Sequence, residues 1–131
     1  MPRLLVLFNH TLTSTQIEDA RESLGVTAII YPPEDIRRLW KKIPPETVSV
    51  RTYLTPVKAW LSSTSCRGNF VLIQGEFGAT WMMVDFAFKS GLVPIYSTTS
   101  RKVFENPCKN GGIEIRHIFE HVRYRLYEKS K

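Results

Sequence analysis

"VLIQGEFGATWMMVDFAF", Val71–Phe88, decides how the chain is read. An apolar run stops at Gly75, turns through a few small residues and restarts near Gly78 with helical periodicity. A buried strand feeding a helix through a glycine turn is the building unit of parallel α/β sheets. Such a turn is also a ready seat for an anion, because the first amides of a helix are unpaired and its N-terminal end carries positive charge. Yet no Lys-Ser/Thr pair follows the second glycine, and the spacing is not G-x-G-x-x-G. A phosphate-type turn without the usual accessories must be explained by the rest of the chain.

Upstream, "LLVLF" (Leu4–Phe8) is a continuous apolar run that predicts a strand buried on both faces. "TSTQIEDARESLG" predicts a helix with a Thr13/Gln16 capping box and a stop at Gly25. "AIIY" (Ala28–Tyr31) is a second short strand. Pro32-Pro33 opens a helix in which Ile36, Leu39, Trp40 and Ile43 share a face. After Pro44-Pro45, helical spacing of Val50, Leu54, Val57 and Leu61 predicts a helix through "SVRTYLTPVKAWLSS", with Pro56 early in it or kinking it. "NFVLIQ" is the third strand, "GATWMMVDFAFKSG" its helix, and "VPIYSTT" the fourth strand. The remainder alternates around Asn110-Gly111-Gly112 and predicts an antiparallel hairpin closing one sheet edge, followed by a short polar tail "EKSK". The expected fold class is α/β: a Rossmann-like three-layer domain, mainly parallel, closed by a C-terminal antiparallel hairpin, as a single domain over residues 1–131.

The bulk properties agree. At 131 residues and 43% apolar content the chain suits one hydrophobic core. A net charge of +6 is compatible either with an ordinary basic soluble protein or with a polyanionic ligand. Cys66 and Cys108 lack metal-type neighbours and read as unpaired thiols of a reducing compartment. The apolar stretch in "MPRLLVLFNH" is too short for a signal peptide or a membrane span, so a cytoplasmic location is expected, with no membrane partner.

In a parallel sheet, ligands bind beyond the carboxyl ends of the strands, near the switch in strand order. Three polar stretches are expected there: "NHT" after the first strand, "QGEFGAT" after the third and "STTSR" after the fourth. In "QGEFGAT", Gly75 and Gly78 allow close backbone approach and Thr80 adds a hydroxyl; the alternative is a tight strand-to-helix turn with no ligand. "STTSR" combines the hydroxyls of Ser97, Thr98, Thr99 and Ser100 with Arg101 and then Lys102, a phosphate clamp or else a solvated bend. His10 is either a proton-transfer group or a structural histidine; His117 and His121, in the hairpin, read as structural. Glu76 is the one carboxylate in the three stretches, too few for a two-metal nuclease or a magnesium-dependent phosphotransferase. No metal and no cofactor is expected. The inventory suits an anionic ligand held by amides, hydroxyls and a few cations.

Together, "LLVLFNHTLT", "VLIQGEFGATWMMVDFAF", "VPIYSTTSR" and "IFEHVRYRLY" resemble a small stand-alone protein family of type III CRISPR systems that belongs with the CARF-like ring nucleases. The resemblance runs over nearly the whole chain and lies in the order of the four blocks. It implies a CARF-type variant of the Rossmann fold, working as a homodimer. It implies a cyclic oligoadenylate ligand, above all cyclic tetra-adenylate, degraded to linear di-adenylate so that the antiviral signal ends. It places the site at Asn9 and His10, at Gln74–Thr80 and at Ser97–Arg101. With the residue chemistry, this assigns catalysis to His10, Arg101 and Asn9. Ligand contacts fall to Thr11, Gln74, Gly75, Glu76, Phe77, Gly78, Ala79, Thr80, Ser97, Thr98, Thr99, Ser100 and Lys102. RNA carries its own nucleophile in the 2′-hydroxyl, so holding it in line supplies up to about 7–11 kcal/mol without a metal. The competing readings are a non-catalytic module that binds the same ligand, and a nucleic-acid-binding surface over "RRLWKK" or "RHIFEHVRYR". The resemblance favours the cyclic ligand; DNA is not expected.

Overall fold

A computed structural model describes residues 2–130; the last lysine of the polar tail lies outside them. Leu4, Leu5, Val6 and Leu7 are all buried, so β1 (Arg3–Leu7) shows no polar alternation: helices cover both of its faces. β1 lies between β2 (Ala28–Ile30) and β3 (Phe70–Ile73), and β4 (Val93–Pro107) follows β3, all parallel. β5 (Ile113–Leu126) pairs antiparallel with β4 on the outer edge, completing a mixed five-stranded sheet in the order β2-β1-β3-β4-β5.

Successive residues of the strands belong to different cores. Leu4, Val6, Leu72 and Ile95 share a core with Ala20 of α1 (Ser14–Leu24) and with Leu12 just before it. Leu5, Leu7, Val71 and Ile73 face α2 (Glu34–Lys41), α3 (Thr55–Thr64) and α4 (Phe77–Lys89) through Trp40, Leu61 and Met83. The chain leaves β1 over one face and returns to β3 over the other, which puts the switch in strand order between β1 and β3. The capping box of α1 is present, with Thr13 and Gln16 bonded reciprocally, and Gly25 caps its end.

Two expectations are corrected. The helix foreseen from Ser49 begins only at Thr55, preceded by a 3-10 turn at Thr52–Leu54. Pro56 sits in its first turn, where a residue without an N–H costs nothing, and the chain before it does not continue the helix. Val50 still packs against the core from outside the helix.

The larger correction concerns β4. Ser97, Thr98, Thr99, Ser100, Arg101 and Lys102 do not form a loop; they lie inside a strand that runs on to Pro107. β5 pairs with it along the whole length, which satisfies the backbone groups a loop would have left to water. Polar side chains are accepted at successive positions there because both faces of the outer ribbon meet solvent. The hairpin turns at Asn110-Gly111-Gly112 as foreseen, with Gly111 at φ 85°. From Ser97 to Pro107 the ribbon extends about 33 Å at 3.3 Å per residue. A β-bulge sits at its root: Thr98 pairs with Arg123 and Thr99 with His121, so Val122 is the extra residue. Cys66 and Cys108 are free and exposed. Among the described residues no helix is long and apolar enough to cross a membrane.

Candidate functional site

The carboxyl ends of β1 and β3 and the Ser97 position of β4 are tied together by two bonds. The Gln74 N–H donates to the Leu7 carbonyl at 3.0 Å, and the Ser97 N–H donates to Gln74 Oε1 at 2.8 Å. The segment after β1, the turn after β3 and β4 at Ser97 therefore meet on one rim, at the switch in strand order. Beyond Ser97 the ribbon carries Thr99, Ser100, Arg101 and Lys102 away from that rim. Arg101, four residues on, stands about 13 Å past Ser97.

Two buried side-chain atoms at this rim have no hydrogen-bond partner: Asn9 Oδ1 and Thr80 Oγ1. Buried polar atoms in folded proteins are nearly always paired, and an exception marks a place where a ligand or water completes the bonding. Next to Asn9, His10 is exposed, its ring edge-on to Phe8 with centroids 5.3 Å apart; Thr11 is exposed beside it. Phe77 and Trp81, one turn apart at the start of α4, are 93% and 70% exposed. Large aromatic faces turned to water suit stacking against a planar group.

The glycine turn is otherwise than its sequence suggests. Gly75 lies under the buried Trp40 ring: a Cβ there would come within 2.8 Å of the Trp40 Nε1 nitrogen. Trp40 Nε1 donates to the Gln74 carbonyl at 3.1 Å, so the missing side chain admits tryptophan. The first free amides of α4 are occupied as well. The Glu76 carboxylate caps the helix, accepting from the N–H groups of Gly78 and Ala79. An incoming phosphate would have to displace that carboxylate. Ala79 is buried in the core, so only its backbone is available to a ligand.

The remaining candidates are engaged on β4. Thr98 Oγ1 donates to the Arg123 carbonyl at 3.0 Å, and Lys102 pairs with Glu120 at 2.9 Å. Arg101 donates from Nε and Nη2 to His117 Nδ1 at 3.0 and 2.8 Å, on the exposed ribbon.

A buried chain of polar groups that sequence reasoning missed runs beneath the rim. The Thr13 N–H donates to Gln16 Oε1 at 2.9 Å, and Gln16 Nε2 donates to Ser97 Oγ at 3.3 Å. Ser97 Oγ lies 2.6 Å from His121 Nδ1, and His121 Nε2 lies 2.7 Å from Asp19 Oδ2. Ser23 donates to the other oxygen of Asp19. The two ring nitrogens of His121 thus bridge a hydroxyl and a carboxylate, and every member of the chain has a hydrogen-bond partner. Partial burial pushes the Asp19 carboxyl up, but the bonds from Ser23 and His121, the His121 charge and a backbone bond from Tyr124 outweigh it and hold the group below the usual carboxylate value. Tyr124 donates its hydroxyl to the Gln16 carbonyl at 2.9 Å, and burial, helped by the Asp19 charge, pushes its phenol up. Ser97, His121 and Asp19 are the residue types of a nucleophilic triad, but Ser97 is buried and bonded by Gln16. The chain therefore ties α1 to the root of the ribbon. His121 reaches it because the Val122 bulge turns His121 and Tyr124 to the same side.

The basic stretches keep only part of their aromatic content at the surface: Phe119 is exposed, the others are not. Trp40 of "RRLWKK" is in the core, and in "RHIFEHVRYR" the buried Tyr124 points away from Arg123 and Arg125. Among the described residues, no group of three or more His, Cys, Asp or Glu side chains is placed to hold a metal ion.

Fold and rim together define an α/β protein with a mixed, mostly parallel five-stranded sheet and a polar rim where β1 and β3 end. The family model described as "Uncharacterized protein MJ1673 family" matches residues 2–125. "Uncharacterized protein MJ1673" of Methanocaldococcus jannaschii is 44% identical over 127 residues, covering 97% of this chain and 98% of that protein. The chain belongs to the MJ1673 family. No solved structure matches it.

Proposed function

We propose that this protein is a ring nuclease with a Rossmann-like, CARF-type fold: it binds cyclic oligoadenylate, cyclic tetra-adenylate foremost, and opens it by attack of a ribose 2′-hydroxyl on the adjacent phosphate. The observation that carries the reading is that two buried polar atoms, Asn9 Oδ1 in the segment after β1 and Thr80 Oγ1 in the first turns of α4, each lack a hydrogen-bond partner. Asn9 Oδ1 is an acceptor and suits a ribose hydroxyl or an adenine amino group. The Thr80 hydroxyl can donate to a phosphate oxygen. Phe77, at the start of α4, offers a stacking face to adenine, and the exposed His10 follows Asn9 in the chain for proton transfer.

In the step itself the 2′-oxygen loses its proton as it bonds to phosphorus, the P–O5′ bond breaks, and the leaving oxygen takes up a proton. The product carries a 2′,3′-cyclic phosphate. His10 accepts or returns the proton, while Asn9 and Thr80 hold the attacking oxygen and the phosphate in line. The resemblance noted in the sequence supplies the ligand class; the rim supplies groups of the right chemistry.

The test is incubation of pure protein with cyclic tri-, tetra- and hexa-adenylate in excess EDTA, followed by separation of products. Linear di-adenylate ending in a 2′,3′-cyclic phosphate is expected from the tetra-adenylate. Activity that vanishes in EDTA and returns with magnesium or manganese would exclude self-attack. A second reading, binding without cleavage, is favoured by the absence of a hydrogen-bonded partner to orient His10 among the described residues. It predicts retention of intact ligand under single-turnover conditions.

A further inference from the structure

Every residue of the ribbon from Thr99 to Glu120 is exposed. Its two faces differ. Pairing places Arg101 with Phe119, Val103 with His117, Glu105 with Ile115 and Pro107 with Ile113 on one side. Phe119, Ile113, Ile115 and Val103 of that face are 67, 65, 56 and 53% exposed. The other side carries the Lys102–Glu120 ion pair with Arg116 and Glu114, and two less exposed apolar residues, Phe104 and Ile118, at 44 and 39%. A free two-stranded ribbon is marginal in water, and a row of large apolar side chains along one face calls for a cover.

A second surface has a matching need. A groove of about 650 Å³ runs along the outside of α4, lined by the apolar Phe77, Trp81, Phe88 and Tyr127 and also by the charged Asp85 and Lys89. From Phe77 to Phe88 the helix advances about 16 Å. From Arg101 to Pro107 the ribbon advances about 20 Å. The order also matches. An apolar ribbon entering the groove at the rim would lay Val103, Ile115 and Ile113 towards Phe88 and leave Arg101 and His117 beside Thr80.

Charge says which molecule brings the ribbon. The rim segments Phe8–Thr13 and Gln74–Thr80 contain Glu76 and neither lysine nor arginine. A polyanionic ligand at that rim would meet no lysine or arginine there, while Arg101 stands about 13 Å along its own ribbon from Ser97. We propose that the ribbon is an exchange arm: it docks in the α4 groove of a second copy of this chain and brings Arg101, held by His117, to that copy's cleft. By two-fold symmetry each cleft receives the other chain's arm. The choice of ligand rests on the ring-nuclease reading; the docking does not.

Two measurements decide it. Light scattering at tens of micromolar should give a dimer for the wild type. It should give a monomer for Trp81→Lys and for a chain in which Arg101–Phe119 is replaced by an Asn-Gly turn. Trp81 is exposed, so its replacement does not threaten folding, and circular dichroism checks both variants. A monomeric wild type, or a dimer that survives both changes, overturns the arm whether or not any nucleotide is cleaved. Next, Arg101→Ala and His10→Ala proteins, each inactive alone on cyclic tetra-adenylate, are mixed in equal amounts after brief denaturation and refolding. Half the dimers are then mixed and hold one complete site of two, so about one quarter of wild-type activity returns. No recovery in a mixture shown to be dimeric overturns the supply of Arg101 across the interface. A wild type that cleaves nothing fails the ring-nuclease reading alone and leaves the mass measurement to decide the arm.

Discussion

Replacing His121 by alanine tests the polar chain beneath the rim. The imidazole is nearly enclosed, its side chain 3% exposed, and it holds Asp19 at 2.7 Å and Ser97 at 2.6 Å. A hydrogen bond to an ionised group is worth about 1.5–3 kcal/mol, and a buried hydroxyl left without its acceptor adds about 1 kcal/mol or more. The Asp19 side chain is 23% exposed, so water recovers part of its loss and the lower end applies. The expected total for His121→Ala is about 3 kcal/mol. With a urea slope near 1.5 kcal/mol/M, the unfolding midpoint should fall by roughly 2 M. The assay is equilibrium urea unfolding followed by tryptophan fluorescence, repeated for Asp19→Asn and for the double variant. Because the side chains touch, the cycle should show a coupling of about 1–2 kcal/mol. A midpoint shift under about 0.3 M, or strict additivity in the cycle, would refute the claim that this chain clamps α1 to the ribbon.

Four further outcomes follow from the geometry. Gly75→Ala pushes a methyl against the buried Trp40 ring and should cost about 1–3 kcal/mol, read as a lowered melting temperature; no loss would mean the ring has room to move. Glu76→Ala removes the α4 cap and should cost about 1 kcal/mol; if the helix start also seats a phosphate, the same change should tighten nucleotide binding in calorimetry, and unchanged or weaker binding would place the phosphate elsewhere. Asp19 titrates lower in the folded chain than the value of about 3.9 it has unfolded, so its contribution is complete above that value and is lost as pH falls through the folded pKa; the acid limb of stability should be shallower in Asp19→Asn, and identical limbs would contradict the assignment. Asn9→Leu fills an unpaired polar position with an apolar side chain of similar size and should leave stability unchanged or improved while cyclic tetra-adenylate binding weakens at least tenfold; unaltered binding would remove Asn9 from the site.

The parallel half of the fold was legible because each buried strand is a short apolar run punctuated by glycine, proline or a cap. Leu4–Leu7 and Val71–Ile73 admit little else once a capping box follows the first and a helical stripe the second. The far half of β4 was not legible. Serine and threonine are as common in solvated bends as in exposed strands, and only the partner strand decides between them. The site divided along the same line. Asn9, Gln74 and Thr80 follow from topology, since strand ends in a parallel sheet share a rim. His121 does not, because its side depends on one unpaired residue in β5, and alternation counted along the sequence puts it on the wrong face. Gly75 misled for another reason: a glycine that admits a tryptophan and one that admits a phosphate are the same letter.

That unpaired residue, Val122, has a consequence for how the chain tolerates change. Substituting its side chain should matter little, since Val122 is exposed. Deleting it is another matter. With Arg123–Leu126 anchored, loss of one position would turn each β5 residue from Ile113 to His121 through the sheet to the opposite side. Phe119, Ile115 and Ile113 would exchange places with Glu120, Arg116 and Glu114 along the whole hairpin, and His121 would leave Asp19. The two-sided character of some 30 Å of ribbon is thus stored in a residue count rather than in any residue's chemistry. Sequences descended from this one can vary freely in the identity at that position, but should conserve the spacing from Tyr124 back to His121.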